Sequence, residues 1–177
     1  LPLIQNMAEP FLRQDLHKIA RETGHPDFIR IAFEYLPLSY SRRHGDPSRP
    51  WNYFNIETTD SKGRLRYNYE GNWRDIFQNW EALCYSYPSY IESFICKFVN
   101  ASTIDGYNPY RIMKGGIDWE EPDPSASWTY LGYWGDHQII YLQKFLEQMA
   151  DYHPGRLEEL LGTEAFVYAH VPYRIKE

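Results

Sequence analysis

Residues 72–100 read "NWRDIFQNWEALCYSYPSYIESFICKFVN", and the spacing of their apolar residues decides the fold. Trp73, Ile76, Phe77, Trp80 and Cys84 fall on one face of a helix over 72–85, at helical period rather than at the alternation of a strand. Tyr87 and Pro88 then break the pattern, because proline lacks an N–H and restricts the residue before it. The pattern resumes with Ile91, Phe94, Ile95, Phe98 and Val99, the i, i+3, i+4, i+7 and i+8 positions of a second helix over 89–100. Two apolar stripes on so short a hinge cover each other by turning back, which predicts an antiparallel helix pair.

Working outward, helices over 9–22 and 27–36 form another pair, punctuated by "TGHP", where Gly24 ends one helix and Pro26 opens the next. On the other side, Ile139, Leu142, Leu146 and Met149 share one face of a helix over 136–149, while Ile140, Tyr141 and Phe145 spread onto others. That distribution predicts burial around much of its circumference. A short helix over 155–161 follows a stop at Pro154. "WNYFNIE" and "GRLRYNYE" predict one small β-hairpin across the turn "TTDSKG". Residues 105–135 read as a single long loop, and with Tyr107, Tyr110, Trp119, Trp128, Tyr130, Tyr133 and Trp134 in it, a functional loop rather than a disordered one. The expectation is a mainly α chain of antiparallel helix pairs, a single domain over 1–177.

Of 177 residues, 43% are hydrophobic and 24% charged, which is globular and not disordered composition. The net charge of -6 argues against a nucleic-acid partner, whose phosphates demand clustered Lys and Arg. No stretch is long and apolar enough for a membrane span and no leader opens the sequence, so a soluble, cytoplasmic protein is expected, with no membrane partner. Leu1 stands where a start methionine would, which is compatible with a longer parent chain. Cys84 and Cys96 sit at apolar helical positions and read as reduced core thiols. His44 with Asp46, and Asp136 with His137, do not supply the ligand set of a zinc site, so neither metal nor cofactor is expected. His17, His25, His153 and His170 read as surface or cap histidines.

The 18% aromatic content needs another explanation, and two stretches supply one. On the helix over 72–85, Arg74, Gln78 and Glu81 stack at i, i+4 and i+7 with Asp75 and Asn79 beside them. Such a stripe is a solvated face, with Asp75 complementing the helix dipole, or a set of directed hydrogen-bonding groups. Further on, "GYWGDHQ" sets Tyr133, Trp134 and Gly135 before Asp136 at the start of a helix. Asp136 is there either a cap or a carboxylate held out to a substrate. Sugar rings offer C–H faces that pack on aromatics and hydroxyls that need bidentate partners, which matches both stretches.

The run "YNYEGNWRDIFQN", followed by "DGYNPYR" and "GYWGDHQIIYLQKFLE", resembles the catalytic region of the cellobiose and chitobiose phosphorylases, within the six-hairpin (α/α)6 glycosidase group. The similarity spans residues 64–152, about half the chain. In that family an Arg-Asp-x-x-Gln-Asp motif opens an inner helix and binds sugar, and a Trp and Asp two residues apart supply the general acid. Arg74, Asp75 and Gln78 match the first motif, Asn79 departs from its last Asp, and Trp134 with Asp136 match the second. The resemblance implies part of an (α/α)6 toroid, a fragment of a larger catalytic domain, since a full ring of six pairs needs a longer chain. Contact with the rest of a parent chain, or self-association, follows. It also implies an inverting glycoside hydrolase or phosphorylase acting on an oligosaccharide or glycoside, with Asp136 as general acid. Arg74, Asp75, Gln78, Trp134, Tyr133 and Glu81 would bind substrate.

The chemistry sets conditions on that role. A helix N-terminus lowers a carboxyl pKa, whereas a general acid needs it raised, so Asp136 requires an aromatic wall and excluded water. An inverting hydrolase needs a second carboxylate, for which Glu81, Asp75, Glu120 and Glu121 are candidates. A phosphorylase takes inorganic phosphate as co-substrate and needs no protein base. Arg42, Arg43, His44 and Arg49 then offer an anion site, or else simply a solvated turn. The competing reading is a non-catalytic helical carbohydrate-binding or interaction module in which Asp136 is a cap.

Overall fold

The structure, a computed structural model, describes residues 12–36, 59–64, 71–113, 116–119 and 138–171. In chain order these form α1 (Arg13–Thr23), α2 (Pro26–Phe33), β1 (Gly71–Asn72), α3 (Trp73–Cys84), a 3-10 turn (Pro88–Tyr90), α4 (Ile91–Asn100), β2 (Arg111–Met113), β3 (Gly116–Asp118), α5 (Ile139–Tyr152) and α6 (Pro154–Leu161). Mainly helical architecture with paired helices is as the sequence periodicity predicts.

The aromatic stripe of α3 builds the core. Trp73, Phe77 and Trp80 are wholly buried, as are Phe94 and Phe145. Trp73 meets Phe98 at 5.7 Å between ring centroids, and two turns along, Trp80 stacks on Phe94 at 4.9 Å, so α3 and α4 run antiparallel. Phe145 of α5 touches Phe77 at 5.9 Å and Phe94 at 5.5 Å. One turn further on, the Gln148 side-chain amide donates to the Glu81 carbonyl at 3.3 Å. Hence α5 runs in the same sense as α3, and both have their N-termini at one end of the layer. α4 lies between neighbours and is buried nearly all round, from Ile91 through Cys96 and again at Phe98 and Asn100. Aromatic pairs of this kind add about 0.5–1.5 kcal/mol each beyond their buried area.

α1 and α2 form a hairpin with its own small core of Leu16, Ala20, Phe28 and Ala32. Gly24 closes α1 at φ 61°, a left-handed conformation that costs glycine little, and Pro26 opens α2. The buried Asn100 ties three segments together. Its amide donates to Glu34, which caps the C-terminus of α2, at 2.8 Å and its carbonyl oxygen accepts from the Val167 N–H at 2.9 Å. Cys84 and Cys96 are buried and free, as expected of core thiols, and burial pushes each thiol up to about 12.

Three expectations need correction. Gly71 and Asn72 are a strand, and the helix begins at Trp73. The single long loop over 105–135 contains β2 and β3, which join β1 in an antiparallel sheet of order β1-β2-β3, with Ile112 opposite Ile117 and Met113 opposite Gly116. Strands of two or three residues are too short to show an alternating pattern, which is why they read as loop. Third, the helix predicted over 136–149 is Ile139–Tyr152, and it is buried on one face only, at Phe145, Gln148 and Met149 with Tyr141, Leu142 and Leu146 half-buried, while Ile139 and Ile140 are exposed. α6 also starts one residue earlier than predicted, because proline is well suited to the first helical position. The arms of the predicted hairpin lie largely outside the described residues. Its turn is present, with Asp60 accepting from the Lys62 and Arg64 N–H groups at 2.8 and 3.0 Å. Among the described residues no helix is long and apolar enough to cross a membrane.

Candidate functional site

The small sheet is docked at the start of α3. The Trp73 N–H donates to the Tyr110 carbonyl at 3.0 Å, and Asn72 pairs with Arg111 in the sheet register. Gly71 permits this approach, because a Cβ there would meet the Ile76 side chain at 3.0 Å. The first turns of α3 therefore carry their polar side chains beside the residues of β2 and β3.

Arg74 and Asp75 face each other at 3.4 Å, a loose contact in which Arg74 stays 38% exposed. Asp75 also accepts from the Asn72 amide at 3.3 Å, and Asn79 donates to the Asp75 backbone carbonyl at 2.6 Å. The last bond is a reason for Asn where the resembled motif has Asp: a carboxylate at 79 could not donate to that carbonyl. Gln78 is exposed one turn above Arg74. Next to them, Arg111 is paired with Asp118 at 2.5 Å, and its guanidinium lies 5.7 Å from the Tyr110 ring centroid. Tyr110, Arg111 and Asp118 thus join the rim. Sequence reading placed them in a loop, and only the aromatic count there hinted at them.

Glu81 is placed differently. It lies two turns along α3 and is held by Lys144 of α5 at 2.9 Å, so its carboxylate braces the α3–α5 contact. Tyr133, Trp134 and Asp136 lie outside the described residues, as do Arg42, Arg43, His44, Arg49, Glu120 and Glu121. The described part of that segment begins at Gln138, which is buried immediately before α5.

At the opposite end of α3 lies a cleft of about 740 Å³, walled by α1, the 3-10 turn, the start of α4 and the junction of α5 with α6. Its floor is Glu92, whose side chain is 7% exposed. Arg13 donates to Glu92 Oε2 at 3.2 Å and Arg156 to Oε1 at 2.5 Å, while Arg13 also reaches the Ser89 carbonyl at 2.6 Å. Burial works to raise the Glu92 pKa, but the hydrogen bond from Arg156 and the charges of both arginines hold it below the usual carboxylate value. The arginines respond in opposite senses. Burial lowers Arg13 despite Glu92, whereas the hydrogen bond to Glu92 raises the more exposed Arg156.

His17 is neither a surface nor a cap histidine, contrary to the sequence reading. It stacks on Phe33 at 4.1 Å with 12° between planes. Burial, then the charge of Arg13, depresses its pKa to about 4, so it is neutral near pH 7. His25 and His153 do occupy cap positions. Among the described residues no three His, Cys, Asp or Glu side chains gather as a metal site requires. No protein-family model matches the chain, and no curated protein matches it significantly.

Proposed function

We propose that the chain is the sugar-handling part of a carbohydrate-active protein of the inverting glycoside hydrolase or phosphorylase type, with helix pairs that belong to an (α/α)6 toroid. One observation carries the reading. The N-termini of α3 and α5 lie at the same end of the helical layer, and the first turns of α3 present Arg74, Asp75 and Gln78 there. Same-sense helices alternating with an antiparallel one are also what a ring of helix pairs requires. In this account Arg74, Asp75 and Gln78 grip the sugar, Trp134 and Tyr133 stack on it, and Asp136 protonates the leaving oxygen.

The second carboxylate is the discriminating feature. Asp75 and Asp118 already face arginines, at 3.4 and 2.5 Å, and Glu81 faces Lys144 at 2.9 Å. A general base must instead be available to a water across the ring. Attack by inorganic phosphate needs no such base, so, among the described residues, the carboxylates of the rim suit phosphorolysis better than hydrolysis. The same pairing favours, as a second reading, a non-catalytic helical module that binds carbohydrate. Release of sugar from an oligosaccharide panel, measured with and without phosphate, separates the three. Phosphate-dependent turnover supports the phosphorylase, phosphate-independent turnover the hydrolase, and binding without turnover the module.

A further inference from the structure

The cleft at the far end of α3 takes no part in that function, yet it has the features of a ligand site. Gln14, His17, Lys18 and Arg21 recur at i, i+3, i+4 and i+7 of α1, so one helical face of donors and acceptors lines it, while Leu16 and Ala20 are buried against α2. Its volume, about 740 Å³, falls in the range of small-molecule pockets and is far larger than a bare oxyanion needs.

The charges are unbalanced. Glu92 is satisfied by Arg13 and Arg156 within the floor. At the mouth, Lys18 has only Glu22 among the described residues, at 4.0 Å with both side chains well exposed. Arg21 is held by the Phe33 ring, 5.2 Å from its centroid, and is paired with no carboxylate among the described residues. The walls also carry neutral hydrogen-bonding groups. His17 is held by its stack on the Phe33 ring, 4.1 Å between centroids. Its Nε2 and the Nε2 of His153 are buried with no hydrogen-bond partner among the described residues, and a neutral imidazole can accept there.

We propose that this cleft binds a phosphate monoester of a small hydroxylated molecule, with Lys18 and Arg21 meeting the phosphoryl oxygens and Gln14, His17 and the Tyr90 ring serving the hydroxylated body. Guanidinium forks match phosphate oxygens, and an acceptor such as the neutral imidazole selects a body that carries hydroxyl donors.

Calorimetric titration of the chain with ribose 5-phosphate, inorganic phosphate and ribose tests this. Ribose 5-phosphate is expected to bind, with inorganic phosphate at least tenfold weaker and ribose alone weaker still. The double variant Lys18→Ala/Arg21→Ala alters exposed side chains and is expected to keep the wild-type circular dichroism while losing at least tenfold in affinity for the ester. Arg74→Ala, at the opposite end, is expected to leave that affinity unchanged, which separates this site from the sugar rim. Absence of ester binding at millimolar concentration, equal binding of inorganic phosphate, or undiminished binding by the double variant overturns the proposal.

Discussion

Arg13 Nη2 and Glu92 Oε2 lie 3.2 Å apart although 79 positions of chain separate the two residues. Arg156, 64 positions from Glu92 on the other side, takes the second oxygen at 2.5 Å. The first described helix and the last one are thus fastened to the same carboxylate on the most buried helix. Removing one partner of a buried ion pair leaves uncompensated charge and costs about 3–5 kcal/mol. Glu92→Gln is accordingly expected to lower the unfolding free energy measured by urea denaturation by about that amount, with circular dichroism of the folded protein unchanged.

The aromatic cluster makes a second prediction. Phe77 packs edge-on against Trp80 at 5.0 Å, Phe98 at 5.0 Å and Phe145 at 5.9 Å, so it joins α3, α4 and α5. Phe77→Ala is expected to cost about 3–5 kcal/mol in chemical denaturation, because three rigid rings cannot close over the cavity. A loss below about 1 kcal/mol would show that the three helices do not share this core.

Acidification should destabilise the fold through His17. Its folded pKa of about 4 lies below the ordinary value of 6.5, because burial and then the Arg13 charge oppose protonation, with Arg21 also opposing and Glu92 favouring it. Between those two values the unfolded chain holds more protons than the folded one, so stability falls as pH drops from 6.5 towards 4. Glu92, whose pKa is lowered, adds a further loss below the usual carboxylate range. Thermal melts across pH 7.5 to 4 check the fall, and His17→Gln is expected to flatten the part above pH 5. A wild-type melting temperature that does not change over this window contradicts the assignment.

Much of the helical framework could be read directly. Trp73, Ile76, Phe77, Trp80 and Cys84 were assigned to one face by period, and all five are buried. Gly24 and Pro26 mark their turn because each has a backbone preference that needs no tertiary context. The sheet was not legible, since Gly71 and Asn72 pair with residues about forty positions away and strands this short carry no period. Glu92 was also hidden. It flanks the apolar stripe of α4 as a solvent-facing residue would, and its two arginines come from distant helices. The rim residues Arg74, Asp75 and Gln78 were legible because local helical spacing alone places them together.

For those rim residues the expected effect is on binding and not on stability. Arg74 is partly exposed and its contact to Asp75 is loose, at 3.4 Å. Arg74→Ala is expected to change the urea midpoint little, as surface pairs contribute about 0–1 kcal/mol. It should weaken oligosaccharide binding about tenfold or more, since a hydrogen bond to a charged group contributes about 1.5–3 kcal/mol. Equal affinity in wild type and variant removes Arg74 from the sugar site.

The central claim, that this chain acts on glycosidic bonds with Asp136 as general acid, is tested most directly by turnover and binding measured side by side in Asp136→Asn. The account predicts that sugar release from the preferred oligosaccharide falls by about 10²–10⁴ while sugar affinity and melting temperature stay within error, because the amide keeps the shape and loses the proton. Undiminished turnover in the variant would contradict the account and remove Asp136 from the catalytic role.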